Sequence, residues 1–301
     1  MAGERMMRRR ALRVGIVSML GASVLSPLAA RAVEPARFHH VHLNVVDPAG
    51  SLKFYADTFG AVPVKFAGVA DAAFTERSFI LFNQVGSPAP AALASGIWHI
   101  GWGGVDVPKE YEWFRAKGVK IHTPLYALGR GHVVYLQGLD DEVIEVNTMG
   151  HHRFGHVHLL AADVNAACQW YADHLGVDLP RRVVPKPPDM TQVRAWSNSF
   201  RCDNVSFVVY GRPDYEPIPP WWKDEKLTSL APTRGRVIDH VAFSYREIEP
   251  VLARLQASGV VIVEPLALRP EFKFRSFYVL APDDVLIEIV EARPVPEGIW
   301  D

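Results

Sequence analysis

The chain carries one local pattern four times. The segments F-H-H-V-H-L-N-V-V-D from Phe38, I-W-H-I-G-W-G-G-V-D from Ile97, F-G-H-V-H-L-L-A-A-D from Phe154 and I-D-H-V-A-F-S-Y-R-E from Ile238 each place a histidine in an apolar run. An acidic residue follows seven positions later, giving the pairs His40 and Asp47, His99 and Asp106, His156 and Asp163, and His240 and Glu247. The apolar run suits a buried strand. The acidic residue suits a helix start, where a carboxylate meets free backbone N–H groups and the positive end of the dipole. Helical spacing then takes over. Leu52, Tyr55, Ala56 and Phe59 share one face, as do Val164, Cys168, Tyr171 and Leu175, and Ile248, Val251, Leu252 and Leu255. Each helix stops at a glycine, Gly60, Gly118, Gly176 or Gly259, a residue that readily takes the left-handed turn a helix end needs. Strand-like runs follow at Ser78–Asn83, Val133–Gln137, Val143–Asn147, Val205–Tyr210, Ser276–Leu280 and Val285–Val290. The unit is a strand, a helix and a few antiparallel strands. A chain built from four such units is an α+β protein of repeated modules.

The repeat histidines are separated by 59, 57 and 84 residues, so the third copy is longer. Its extra stretch falls at about Pro213 to Arg236, is rich in proline and aromatics, and contains Trp221 and Trp222. A long loop in a compact domain is usually functional or disordered, and the tryptophans argue against disorder. It reads as a lid over a pocket or as an arm for packing or dimer contact, and a homo-oligomer is compatible with the second.

Residues 1–32 read as an export signal. Arg8, Arg9 and Arg10 precede an apolar stretch from Val14 to Ala29, and Ala30-Arg31-Ala32 offers a cleavage site. The arginines also fit a twin-arginine signal. The expected location is the periplasm or the exterior, with no membrane anchor once the signal is cleaved. The formal net charge is −1 among 301 residues, so nothing in the bulk electrostatics points to nucleic acid. Two cysteines, Cys168 and Cys202, are too few for a disulfide scaffold. They form either one bridge or two small buried hydrophobes.

Each half of the chain closes on a second shared motif, G-L-D-D-E-V-I-E at Gly138–Glu145 and A-P-D-D-V-L-I-E at Ala281–Glu288. In both, an Asp pair turns into a strand that carries a glutamate behind an isoleucine. A carboxylate there is costly to bury unless it is paired or binds a cation.

These residues closely resemble the vicinal oxygen chelate superfamily, which includes glyoxalase I, the bleomycin and fosfomycin resistance proteins and the extradiol dioxygenases. The resemblance covers about residues 36 to 293. It rests on the first-strand histidines His40, His99, His156 and His240, and on the strand glutamates Glu145 and Glu288 after their turns. It implies tandem glyoxalase-like domains of four βαβββ modules, with modules paired as half-barrels around a divalent metal. Domain 1 then spans 36–150. Domain 2 spans 151–293 with the insertion at about 213–236. The resemblance assigns the triad His40, His99 and Glu145 to the first half, and His156, His240 and Glu288 to the second. Two imidazoles and a carboxylate suit a non-haem Fe(II) centre, the favoured cofactor. The same set suits Zn(II), Mn(II) or Ni(II) as a Lewis acid.

His42 and His158 lie two residues beyond a proposed ligand, so they share its strand face. They read as acid–base or substrate groups, or as alternative ligands. Tyr135 and Tyr278 each stand ten residues before the terminal glutamate, a spacing similar to the active-site tyrosine of extradiol dioxygenases. His132 and His122 can add a proton-transfer group to the first half. No histidine follows His240, where Arg269 and Arg275 occur instead, which departs from the extradiol pattern. The implied activity is metal-dependent chemistry on a small oxygenated substrate, aromatic ones included. Dioxygenase ranks first, and glyoxalase-type lyase, isomerase or epimerase second. A non-catalytic binding protein of the bleomycin-resistance type is the alternative.

Overall fold

The computed structural model describes residues 34–88, 95–188, 196–211 and 230–291. The export-signal reading, Trp221 and Trp222 lie outside these residues, as does most of the inserted stretch. Each module begins with a strand: β1 (Arg37–Val45), β5 (Ile97–Gly104), β9 (Phe154–Ala161) and β12 (Ile238–Tyr245). Each first strand leads to a helix: α1 (Pro48–Phe59), α2 (Val107–Ala116), α3 (Val164–Leu175) and α4 (Ile248–Ala257). Gly60, Gly118, Gly176 and Gly259 all take positive φ at or just beyond the helix ends, as the C-cap argument requires. The capping expectation holds for two of the four acidic residues. Asp106 accepts from Lys109 N, and Asp163 from Asn165 N and Ala166 N, while Asp47 and Glu247 sit at the cap without a side-chain bond. No described helix is long and apolar enough to cross a membrane.

The remaining strands are β2 (Val62–Phe66), β3 (Ala70–Thr75), β4 (Ser78–Gln84), β6 (Ile121–Leu128), β7 (Gly131–Gln137), β8 (Val143–Thr148), β10 (Ser197–Cys202), β11 (Val205–Gly211), β13 (Ile262–Arg269), β14 (Phe274–Ala281) and β15 (Val285–Glu291). They form two sheets. The eight-stranded sheet runs β13-β14-β15-β12-β1-β4-β3-β2, and the seven-stranded sheet runs β10-β11-β9-β5-β8-β7-β6. The first module therefore shares a sheet with the fourth, and the second with the third.

This arrangement has a local cause. Each first strand pairs in parallel with its own module's last strand along one edge, leaving the other edge free. Only residues 149–153 connect β8 to β9, and they are pinned to the end of β5: Gly103 N donates to Arg153 O, and Met149 N and Gly150 N both donate to Gly104 O. The tether sets β9 antiparallel against the free edge of β5. The free edges of β1 and β12 then pair with each other.

The two-residue strand period separates core from site. Val41, Leu43, Ile100, Trp102, Val157, Leu159, Val241, Phe243, Ile144, Val146, Ile287 and Ile289 are buried in one continuous core, which also takes in Tyr55 and Phe59 of α1 and Tyr171 of α3. Phe38 joins the sheets inside it, stacking on Phe154 and meeting Phe207 and Phe243 edge-on. The alternate residues, which include all the candidate ligands, face the other side. Cys168 and Cys202 are both free and buried, which decides for the small-hydrophobe reading over the bridge.

Candidate metal centres

On the eight-stranded sheet, β1 and β12 run antiparallel with His42 opposite His240 and His40 opposite Ala242. Glu288 on β15 stands beside Ala242, and Tyr278 on β14 stands beside Glu288. These residues form centre I. On the seven-stranded sheet, His158 is opposite His99, and His156 is opposite Gly101. Glu145 stands beside Gly101, and Tyr135 beside Glu145. These form centre II. The two are built alike: an odd-numbered module supplies His-x-His, and an even-numbered one supplies a histidine and the glutamate.

The triads expected from pairing within each half are therefore corrected. His40 joins His240 and Glu288, while His99 joins His156 and Glu145. In centre I, Nε2 of His40 and of His240 lie 3.2 and 3.4 Å from Glu288 Oε2. In centre II, His99 Nε2 lies 3.1 Å from Glu145 Oε2, and His156 Nε2 lies 3.4 Å from Oε1. The potential ligand atoms of His40, His42 and His240 lie within 4.8 Å of one another, as do those of His99, Glu145, His156 and His158.

The donor set fits a divalent cation. All eight ligand-type residues are at least 94% buried. Among the described residues, Nδ1 of His42 and of His158 is buried without a hydrogen-bond partner, and Nε2 of His40, His156 and His240 faces a glutamate carboxylate without a well-formed hydrogen bond. Such orphaned nitrogens would be costly in a finished core, but they are what a cation needs. Burial, then neighbouring imidazoles, hold His42 and His158 well below the usual histidine range. Burial brings His99 down to about 4 against the pull of Glu145. Glu145 and Glu288 lie well below the carboxylate range despite burial, because histidines surround them. The neutral imidazoles of His40, His42, His99 and His158 beside ionised carboxylates are in the protonation state that binds metal. His240 differs: burial opposes its charge, but Asp239 and Glu288 outweigh burial and raise it to about 9.

Gly101 shows how closely centre II is fitted. A Cβ there would stand 1.8 Å from His156 Nε2. At the matching place in centre I, opposite His40, the chain carries Ala242.

Both tyrosines reach their centres. Tyr278 meets the His240 ring edge-on at 5.2 Å, and Tyr135 meets His99 at 5.2 Å. His122 approaches Tyr135 at 6.4 Å between ring centroids. His132 does not join them. It lies three residues from Tyr135, an odd step that puts its side chain on the opposite face of β7; its backbone N–H donates to Thr148 Oγ1. Arg269 lies over the Tyr278 ring at 5.0 Å, whereas Arg275 is held outside by Glu249 and Glu291. Trp98 lines centre II, its ring 4.3 Å from that of His99. Trp102 instead stacks on Phe59 in the core. A cavity of about 730 Å³ opens onto centre I, lined by His42, His240, Tyr278, Arg234, Arg269 and Phe272 among others.

Two residues that spacing alone does not mark, His39 and Asp239, stand directly behind ligands of centre I. His39 Nδ1 is 2.7 Å from His40 Nδ1, and His240 Nδ1 is 2.6 Å from Asp239 Oδ1. Their signal was a polar residue immediately before a ligand in an otherwise apolar strand.

A family model described as the Glyoxalase/Bleomycin resistance protein/Dioxygenase superfamily matches residues 37–146 and 153–289. Glyoxalase I from Zea mays is similar in fold, with a TM-score of 0.65 at 16% identity over 85% of this chain and 92% of that one. A putative dioxygenase from Bacillus subtilis gives 0.58 at 14% identity over 87% of each chain. Comparison with curated protein sequences finds no match.

Proposed function

We propose that this chain, which belongs to the Glyoxalase/Bleomycin resistance protein/Dioxygenase superfamily, is a metal-dependent enzyme that moves a proton on a small molecule bearing two neighbouring oxygens. The observation that carries this reading is the cavity over centre I: His42 and His240 line it, and behind them Nε2 of His40 and of His240 lie 3.2 and 3.4 Å from Glu288 Oε2. A divalent cation held by His40, His240 and Glu288 supplies Lewis-acid stabilisation of negative charge on substrate oxygen. His42 is then the group that accepts and returns the proton, since a neutral imidazole is needed for the first step. Tyr278 and Phe272 offer ring faces and edges to an apolar or aromatic substrate body. Arg269, stacked on Tyr278, offers N–H donors at the cavity wall. This chemistry is of the lyase, isomerase or epimerase kind. Exported as residues 1–32 suggest, the enzyme would work in the periplasm or outside the cell.

A second reading, an Fe(II) dioxygenase at centre II, is favoured by one observation. His122 lies beside Tyr135, and Tyr126 brings a second phenol within 3.5 Å of the Tyr135 hydroxyl. Metal analysis of the purified protein, reconstitution with Mn(II), Ni(II), Zn(II) or anaerobic Fe(II), and turnover of hydroxycarbonyl, hemithioacetal and catechol panels with an oxygen electrode test both. The expected result is turnover without oxygen uptake, lost in His40→Ala, His240→Ala and Glu288→Gln. Oxygen uptake on catechols would favour the second reading. A metal-free protein whose ligand binding ignores all three substitutions would overturn the enzyme reading in favour of simple sequestration.

A further inference from the structure

The residue immediately before each first-strand histidine differs in every module: His39, Trp98, Gly155 and Asp239. In centre I both are polar, and both hold the back of a ligand imidazole. His39 Nδ1 meets His40 Nδ1 at 2.7 Å. His39 is itself fixed in an aromatic box, with ring centroids 5.5 Å from Phe66, 6.2 Å from Phe79 and 5.6 Å from Phe274. His240 Nδ1 meets Asp239 Oδ1 at 2.6 Å, and Asp239 Oδ2 accepts from Gly235 N at 2.6 Å and Asn44 Nδ2 at 3.0 Å. Asn44 is fixed in turn, donating to Arg236 O at 2.9 Å and accepting from Asn83 Nδ2 at 3.0 Å. A chain of hydrogen bonds thus runs from Asn83 through Asn44 and Asp239 to the rear nitrogen of His240. The front nitrogens of both histidines are left facing Glu288.

Among the described residues, centre II has no such support behind His99. Its Nε2 faces Glu145, but its Nδ1 is buried with no hydrogen-bond partner among them, and the preceding residue is Trp98. Before His156 stands Gly155, which has no side chain to offer. An imidazole ligates through the nitrogen that lacks the proton, so a partner on the other nitrogen selects the tautomer and fixes the ring plane.

We propose that His39 and Asp239 are positioning residues for His40 and His240, and that they make centre I the tighter of two unequal metal sites. The inference rests on the metal reading above but fails separately from it. If neither centre takes up metal, the metal reading falls; if both take it up equally, only this inference falls.

The test is a Co(II) titration of the metal-stripped full chain, followed by visible absorption and against a competing chelator. Glu288→Gln and Glu145→Gln assign the steps to centres I and II. Wild type should bind in two separated steps, with the tighter one missing in Glu288→Gln. Asp239→Asn and His39→Phe should each weaken the tighter step about 10- to 100-fold, the usual effect of losing a ligand's hydrogen-bond partner. The weaker step should not move. A merely structural role would degrade both steps together. Phenylalanine suits the aromatic box around His39, so that variant should keep its fold. If near-ultraviolet circular dichroism shows Asp239→Asn misfolded, Asn44→Ala reads the same step from one hydrogen bond further away. Two equal steps in wild type, or a tighter step indifferent to these variants, would overturn the proposal.

Discussion

Glu142 and Glu145 lie three residues apart, both buried, with opposite electrostatic fates. Glu145 faces centre II and its histidines. Glu142, an odd step away, turns to the core beneath α1, where Tyr55 Oη donates to its Oε1 at 2.8 Å and Asp140 N to its Oε2 at 3.1 Å. Among the described residues no cation compensates it. Burial raises its carboxyl from 4.5 to about 7, against those two hydrogen bonds. The folded chain therefore holds a proton that the unfolded chain releases between those values. More protons on the folded state mean that stability falls as pH rises. The contribution is fully present below pH 4.5 and lost as pH climbs through about 7. A gap of that size corresponds to roughly 3 kcal/mol, at about 1.4 kcal/mol per pH unit.

Glu142→Gln removes the titration while keeping one acceptor oxygen. Urea unfolding of wild type and variant at half-unit steps from pH 4 to 8, followed by tryptophan fluorescence, gives the difference in unfolding free energy. Other titrating groups cancel in that difference. The variant should gain on wild type by roughly 3 kcal/mol across this range, with the steepest change between pH 5 and 7. A difference flat with pH would show that Glu142 is ionised in the folded chain, and the burial argument would be wrong.

Three further outcomes follow from the packing. Gly101→Ala drives a Cβ into the His156 ring, so the variant should lose metal at centre II and keep it at centre I, measured by equilibrium dialysis. The crossed pairing can be tested by stoichiometry: His40→Ala with Glu288→Gln should still bind one metal per chain, and His40→Ala with Glu145→Gln none. If His40 instead worked with Glu145, those two counts would be exchanged. Burial pushes the Cys168 thiol up to about 12 and raises Cys202 well above the usual range, so a thiol reagent should count two free thiols in denaturant and react far more slowly with the native chain.

The four modules, their helices and the face that carries the ligands were legible because each depends on local periodicity. Alternate residues of one strand must face opposite sides, so His40 and His42, or His156 and His158, could be put together from spacing alone. Which modules share a sheet was not legible. Pairing the first module with the second, or with the fourth, unites the same residue types: His-x-His from one and a histidine with a glutamate from the other. The choice lies in residues 149–153, whose hydrogen bonds to the end of β5 bring the third module to the second. His132 failed for a simpler reason, since three residues along a strand is a step to the wrong face. His39 and Asp239 were missed because each stands where the β1–β12 register slips by a residue, between a core residue, Phe38 or Ile238, and a ligand, so simple alternation assigns it no face.

The crossed pairing changes what the duplication means. Were each half self-sufficient, one centre could decay while the other stayed whole in its own half. Here centre I takes His40 and His42 from the first half and His240 and Glu288 from the second, while centre II takes His99 and Glu145 from the first and His156 and His158 from the second. Neither half contains a complete ligand set in the arrangement observed, so both halves are held to the ligand-bearing fold even if a single centre does the chemistry. The centres can diverge only through residues that leave the strand pairing alone. The sites that differ are of that kind: the residue before each ligand, the small residue opposite His40 or His156, and the groups on β6 and β13 that wall each centre.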